Sequence, residues 1–428
     1  MIIDFTVENF LSIRDEQLLS LVAEKDHNHL SANFFEYNEK VSVLKTAAIF
    51  GPNGSGKTNL LFALDSLRDL VVDSGNNKDG DFIPQYLPYE LSDHTINAPI
   101  KFDIEFICNG QRYSYKIVYK DYEILSESLY SYPSVKPAKI FERTSPKNWK
   151  DDDGISFGGH FKGGKKRHAF FANNAYISIA GDSPESPQEI RDIYNYFRKS
   201  WSVRISETPV TVIGWETDEL AEKTMQCLMS NLGLGVTDFK IGEKPLTKAQ
   251  EEVLQNLPKP FHNRFKRDVA REVKYGHRKD DGKIHYIEEN YESLGTKKLF
   301  DYLPSILSAL KSGKVLLVDE IATNFHSHVL ELIISLFNDK DVNVNNAQLI
   351  FTTHDLMIMK SKNLRKDQIY LAEKIEGTTE YVSLDSFDSS LRKDSPFEKW
   401  YDEGRLGAIP QLDYYIISES VKELVLNA

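Results

Sequence analysis

The sequence predicts an α/β fold: a mixed sheet with helices and an antiparallel β-subdomain, split by a mainly helical insertion. Three observations carry the prediction. Residues 51–58 read Gly-Pro-Asn-Gly-Ser-Gly-Lys-Thr, between a short apolar strand and a helix. Far downstream the apolar run Val315-Leu-Leu-Val318 ends in Asp319-Glu320, and a further run ends in His354. Continuous apolar runs of this length are strands buried on both faces, as in a parallel sheet.

Each element follows in order. Ile3, Phe5 and Val7 alternate with Asp4, Thr6 and Glu8, the pattern of a half-buried strand, and residues 18–22 can return beside it. Residues 46–50 lead into the Gly-rich loop. Leu60, Leu61, Ala63, Leu64, Leu67 and Leu70 then recur at helical spacing. Asn109-Gly110 between two alternating runs signals a tight hairpin. From about 120 to 290 the pattern is mixed, with a polar, Gly-rich stretch at 147–166, helical segments near 187–200, 217–231 and 247–256, and a second hairpin at Asp280-Asp-Gly282. The sequence has no internal repeat. It divides as an N-terminal half of a nucleotide-binding head (1–120), an insertion for partner or dimer contacts (121–290) and a C-terminal half (291–428). The last half closes with strands at 368–373 and 381–384, separated by a turn at Gly377-Thr378, and a final helix.

The composition is that of an ordinary globular protein, 41% hydrophobic and 27% charged over 428 residues. A net charge of −12 argues against wholesale wrapping of nucleic acid. Basic patches at 162–167, 264–279 and 360–366 are more often solvated faces than contacts. Cys108 and Cys227 form no disulfide framework and suit a reducing compartment. The sequence has no run of 18 apolar residues and no basic leader, so a cytoplasmic location without membrane association is expected. His326 and His328 join no cysteine or carboxylate set at metal-ligand spacing.

The chemistry lies in the loop and the two strand ends. Gly51 and Gly56 let successive backbone N–H groups face a polyphosphate, Lys57 reaches its β- and γ-phosphates, and the Thr58 hydroxyl can ligate Mg²⁺. The expected cradle comprises Gly51, Pro52, Asn53, Gly54, Ser55, Gly56, Lys57, Thr58 and Asn59, at a helix N-terminus whose dipole favours an anion. Asp319 is placed to support the metal and Glu320 to act as general base on water. His354, at a strand's carboxyl end, can hydrogen-bond a γ-phosphate. Glu292-Ser-Leu-Gly-Thr296 opens a second capped helix: Ser293 caps it and Gly295 permits close approach. One nucleotide needs one phosphate-binding loop, so this second helix start is expected to act across a dimer interface. ATP and Mg²⁺ are the expected cofactors, and ATP hydrolysis the expected reaction.

The order of these motifs resembles the ABC-type ATPases, and the long separation of Lys57 from Asp319 resembles their RecF/SMC branch. The opening Phe5-Thr-Val-Glu-Asn-Phe-Leu-Ser-Ile13 is similar to the first strand of that branch. The chain is further similar throughout to the "AAA fifteen" family. That likeness rests on residues 292–296, Asp319-Glu320, Phe351-Thr-Thr-His-Asp355, Asp367-Gln-Ile-Tyr-Leu-Ala-Glu-Lys374, and Tyr401 through Gly404-Arg-Leu-Gly-Ala-Ile-Pro410. The resemblance implies the ATPase subunit of an anti-phage system of the AbiL, RloA or PARIS type, with a phage-encoded trigger and a separate effector, a nuclease or toxin. It implies that Ser293, Gly295 and Thr296 reach the nucleotide of a second copy in a head-to-tail dimer or larger homo-oligomer. Two departures accompany it: Ile321-Ala-Thr-Asn324 is an unusual partner-contacting turn, and the glutamine lever has only Gln85 and Gln111 as candidates. OLD-type nucleases follow a similar ATPase with a TOPRIM domain, whereas the short segment after His354 predicts that any lethal activity sits on another polypeptide. A RecF-like DNA-repair ATPase is the alternative reading.

Overall fold

The computed structural model describes all residues except 25–29, 145–153, 206–214, 216–217, 259–261, 263–264, 267–268, 324–325, 361–363, 388–394, 411–412 and 427–428. Asn324 and parts of the stretch at 147–166 and of the basic patches at 264–279 and 360–366 therefore lie outside the described residues.

Strand β1 (Ile2–Glu8) pairs with β2 (Gln17–Ser20), and β3 (Phe34–Asn38) with β4 (Val41–Leu44). Strand β5 (Thr46–Phe50) runs into the P-loop and the P-loop helix Lys57–Asp73. Strands β6 (Ile100–Cys108) and β7 (Gln111–Tyr119) form the expected hairpin. Asn109 and Gly110 both take positive φ, 49° and 75°, the signature of a type I′ turn. β8 (Ile124–Ser131), β9 (Ala138–Thr144) and β10 (Ile155–Phe157) continue outward from β7. The result is a seven-stranded antiparallel sheet ordered β10-β9-β8-β7-β6-β1-β2.

A second sheet holds the chemistry. β11 (Trp201–Arg204), β15 (Val315–Val318), β16 (Gln348–Thr352), β5 and β17 (Ile369–Ile375) run parallel, and β18 (Thr378–Ser383) closes the edge antiparallel to β17. Side-chain alternation divides its central strands between two cores. Ala47, Ile49, Leu317 and Ile350 pack into the core that holds the P-loop helix and the seven-stranded sheet. Ala48, Phe50, Leu316 and Phe351 face the other way, against helix Leu294–Ser312 and helix Ser327–Asn338. Burial on both faces explains why these strands read as unbroken apolar runs. The buried Gln348 side chain ties the sheets together, accepting from Ile2 N at 2.6 Å and donating to Leu44 O at 2.9 Å.

The expected boundary at residue 121 falls within the seven-stranded sheet. Helices Tyr176–Gly181 and Gln188–Lys199 pack in the P-loop helix's core, and β11 joins the parallel sheet, so the head continues to about residue 204. What stands apart is β12 (Val236–Glu243), β13 (Arg271–Arg278) and β14 (Ile284–Glu288), a three-stranded sheet, with helices Glu219–Asn231 and Lys248–Asn256. This unit is mixed, not mainly helical. Its Phe239, Val273 and Tyr275 share the core of helix Leu294–Ser312.

Candidate functional site

The P-loop is held open by a roof from the far end of the chain. Gly56 adopts φ +96°, a conformation that L side chains rarely enter, and a Cβ there would overlap the Thr379 hydroxyl. Thr379 Oγ1 donates to Ser55 O at 2.9 Å, and Tyr381 OH donates to Gly56 O at 2.7 Å. Ser12 lies 2.7 Å from the Thr379 hydroxyl and accepts from Asn59 Nδ2 at 2.6 Å. These contacts occupy loop carbonyls while leaving the buried Ser55 hydroxyl with no partner among the described residues. A buried, unpaired hydroxyl inside a phosphate-binding turn is a donor suited to a ligand oxygen.

Lys57 Nζ donates to the carbonyls of Gly51 at 3.0 Å and Pro52 at 2.9 Å. Burial pulls its amine down to about 8, against the opposing pull of Glu320 and Asp319. The parallel pairing of β15 with β16, and of β16 with β5, brings the remaining groups to the same sheet end. Thr58 Oγ1 lies 3.1 and 3.0 Å from the two Asp319 oxygens. Thr352 Oγ1 donates to Asp319 Oδ1 at 2.5 Å and accepts from Glu320 N at 2.7 Å. A hydroxyl and a carboxylate in direct contact are hard oxygen donors of the kind Mg²⁺ takes from a P-loop site. Glu320 sits at φ +45°, a left-handed turn that swings its carboxylate out of strand line. His354 Nε2 stands 3.5 Å from Glu320 Oε1. Burial and the neighbouring Lys57 hold the His354 ring below the usual histidine range, against the pull of Glu320.

The second helix start is built as its sequence indicates. Ser293 Oγ accepts from Thr296 N at 3.1 Å and lies 2.8 Å from the Thr296 hydroxyl. Glu292 receives Ser293 N on one oxygen at 2.8 Å and His277 Nε2 on the other at 2.7 Å, which anchors the cap to β13. Gly295 lies in the first turn. Ser293 is exposed, and among the described residues no hydrogen bond joins Ser293, Gly295 or Thr296 to residues 51–59. The P-loop, Asp319, Glu320 and His354 thus meet in one chain, and the Ser293 cap does not join them. The side chains of Gln85 and Gln111 do other work: Gln85 hydrogen-bonds the Asp69 carboxyl, and the Gln111 amide donates to Arg112 O.

Sequence reasoning gave no role to Ser12, Thr352, Thr379, Tyr381 or Lys298. Ser12 lay in the quoted 5–13 segment and Thr352 in the 351–355 motif, so both had a local signal. Thr379 and Tyr381 had none, because an alternating edge strand carries no mark of what it covers.

A parallel sheet, a P-loop roofed at its edge and Asp319-Glu320 at the end of β15, two strands from β5, define a P-loop ATPase head. The chain belongs to the AAA_21 family, described as "AAA domain, putative AbiEii toxin, Type IV TA system", whose model matches residues 47–360. No curated protein matches the sequence. Among solved structures it is similar to the SMC head domain from Thermotoga maritima, at 12% identity and a TM-score of 0.39 over 89% of this chain and 98% of that one. It is also similar to an SMC head bound to the C-winged helix domain of ScpA, at 14% identity and a TM-score of 0.44 over 89% and 97%. Among the described residues no helix is long and apolar enough to cross a membrane.

Proposed function

We propose that this protein is a cytoplasmic ATP-gated switch of an anti-phage defence system, controlling a separate effector protein. One observation carries the reading: the Ser293 cap is exposed and, among the described residues, makes no hydrogen bond to its own P-loop, while Lys57, Asp319, Glu320 and His354 are assembled. A nucleotide on one copy then has the exposed Ser293 and the half-buried Gly295 of a second copy available to complete its shell, while Thr296 is buried and holds the Ser293 hydroxyl. The toxin–antitoxin wording of the family description supports a paired effector from the same operon.

In this reading residues 51–59 cradle ATP. Lys57 leaves the Gly51 and Pro52 carbonyls for the β- and γ-phosphate oxygens, and the Ser55 hydroxyl gains an acceptor. Thr58 and Asp319 would hold Mg²⁺, which when bound offsets charge between the β- and γ-phosphates. Glu320 orients a water and takes its proton as the water oxygen bonds the γ-phosphorus and the bond to the β-phosphate oxygen breaks. His354, kept neutral near pH 7, donates a hydrogen bond to the γ-phosphate. The mixed unit of β12–β14 is the proposed docking region for the effector or a phage-encoded trigger.

The test is the light-scattering mass of Glu320→Gln with ATP and Mg²⁺, with and without duplex DNA. An ATP-dependent, DNA-independent assembly is expected. Assembly only on DNA would overturn the switch reading in favour of a RecF-like repair ATPase.

A further inference from the structure

Glu292 stands immediately before the Ser293 cap, and its side chain is only 9% exposed. A carboxylate so far removed from water needs a donor on each oxygen. It finds them in two different elements. Ser293 N, the backbone of the helix start, takes one oxygen, and His277 Nε2 on β13 takes the other. An ionised carboxylate only accepts, so Nε2 is the nitrogen that carries the proton. One side chain thus joins the cap to a residue 15 positions earlier.

His277 belongs to the middle strand of the three-stranded sheet, opposite Val236 of β12 and His285 of β14. From β14 the chain passes through the single turn Glu289–Tyr291 into Glu292. The His277–Glu292 bond therefore closes this hairpin onto the cap. The same sheet grips the capped helix two turns further on, where Phe239 and Tyr275 meet the Phe300 ring edge-on at centroid distances of 5.0 and 5.5 Å. Tyr275 and His277 are two positions apart on β13 and so point from one face of the strand. A helix start held at two points by one strand moves with that strand. With the Phe300 contact alone it would be free to swing. We infer that His277 is a positioning residue for Ser293, acting through Glu292, by which the β12–β14 unit governs whether the cap meets the nucleotide of a second copy. This role rests on the proposed action of Ser293 across the interface.

Two measurements on the full chain test it. The first is amide exchange of residues 293–297 in the nucleotide-free protein, read by mass spectrometry. His277→Phe keeps a ring and loses the donor, and exchange is expected to quicken by at least about tenfold; His277→Gln still donates and should stay within about threefold of the parent. The second is assembly in the Glu320→Gln background with ATP and Mg²⁺. There His277→Phe is expected to raise the protein concentration for half-assembly by about tenfold or more, at unchanged ATP affinity, and His277→Gln to restore it. Unchanged exchange in His277→Phe, or equal effects of Phe and Gln, would overturn the inference. So would assembly lost in Ser293→Arg/Glu320→Gln yet kept in His277→Phe/Glu320→Gln, which leaves the role of Ser293 standing. Assembly that persists in Ser293→Arg/Glu320→Gln overturns that role and the inference with it.

Discussion

Lys298 Nζ, one turn into the helix that Ser293 caps, donates to the backbone oxygen of Glu320 at 3.2 Å. With Thr352 Oγ1 receiving Glu320 N, both peptide groups of this residue are fixed while it holds a positive φ. Backbone held in a sparsely populated region persists only where its surroundings over-determine it. Lys298 is therefore a positioning residue for the proposed base, and it ties that base to the helix expected to meet the second copy.

Replacing Lys298 with Met keeps the stem and removes the donor. The expected outcome is a fall in kcat of about tenfold, or ~1.4 kcal/mol, with ATP affinity changed by less than about twofold. Steady-state kinetics beside calorimetric titration with ATP separates the two quantities. An equal loss in both would assign Lys298 to general stability.

The lowered Lys57 amine gives a pH signature. Its folded value of about 8 lies below the ordinary 10.5, so between the two the unfolded chain holds a proton that the free fold lacks. Stability of the nucleotide-free protein therefore gains as pH rises through that window. Binding runs the other way, because a polyphosphate favours the charged amine: affinity is fullest below pH 8 and falls above it, by at most about tenfold per pH unit. Calorimetry in two buffers of different ionisation enthalpy should show proton uptake on ATP binding near pH 8–9. Lys57→Ala should lose most of the affinity and all of this uptake.

Ser293→Arg separates the two halves of the proposed site. Loss of the cap costs about 1 kcal/mol, a few degrees in melting temperature, and ATP binding to the P-loop stays intact. The ATP-dependent mass increase of Glu320→Gln should disappear in the double variant Ser293→Arg/Glu320→Gln. Its persistence by light scattering would refute the role of Ser293 across the interface.

The roof of the P-loop makes a prediction about stability. Tyr381→Phe leaves the Gly56 carbonyl without its side-chain donor, at a cost of about 1–2 kcal/mol. Gly56→Ala adds left-handed strain and a clash with Thr379, for a larger loss of at least ~2 kcal/mol and abolished nucleotide binding. Denaturant titration with and without ATP distinguishes the milder variant, which still gains stability from ligand.

The motifs of the nucleotide-binding half stood out in the sequence because each obeys a short-range rule. Residues 51–58 are a loop chemistry, Asn109-Gly110 a turn chemistry, and Ser293 a cap three residues before the N–H it accepts. The doubly buried strands showed as apolar runs for the same reason. The continuation of the head past the expected division at residue 121 did not stand out, since β8 joins it by pairing with β7 and β9 and β10 follow outward, and pairing leaves no trace in one strand's own pattern. β11 was likewise invisible: Trp201–Arg204 is too short to signal that it lies beside β15. The contacts of Lys298 and Thr379 come from long-range placement, which no local spacing encodes.

The roof over the P-loop also orders events at the ribosome. Residues 51–58 leave the exit tunnel early, but Thr379 and Tyr381, which hold Ser55 and Gly56 in place, are made far downstream. At ~5–20 residues per second, roughly 15–60 s of translation separates the loop from its roof. Throughout that interval the growing polypeptide carries the phosphate-binding letters without the fold that makes them work. A message interrupted before residue 379 is therefore expected to yield a fragment unable to capture nucleotide.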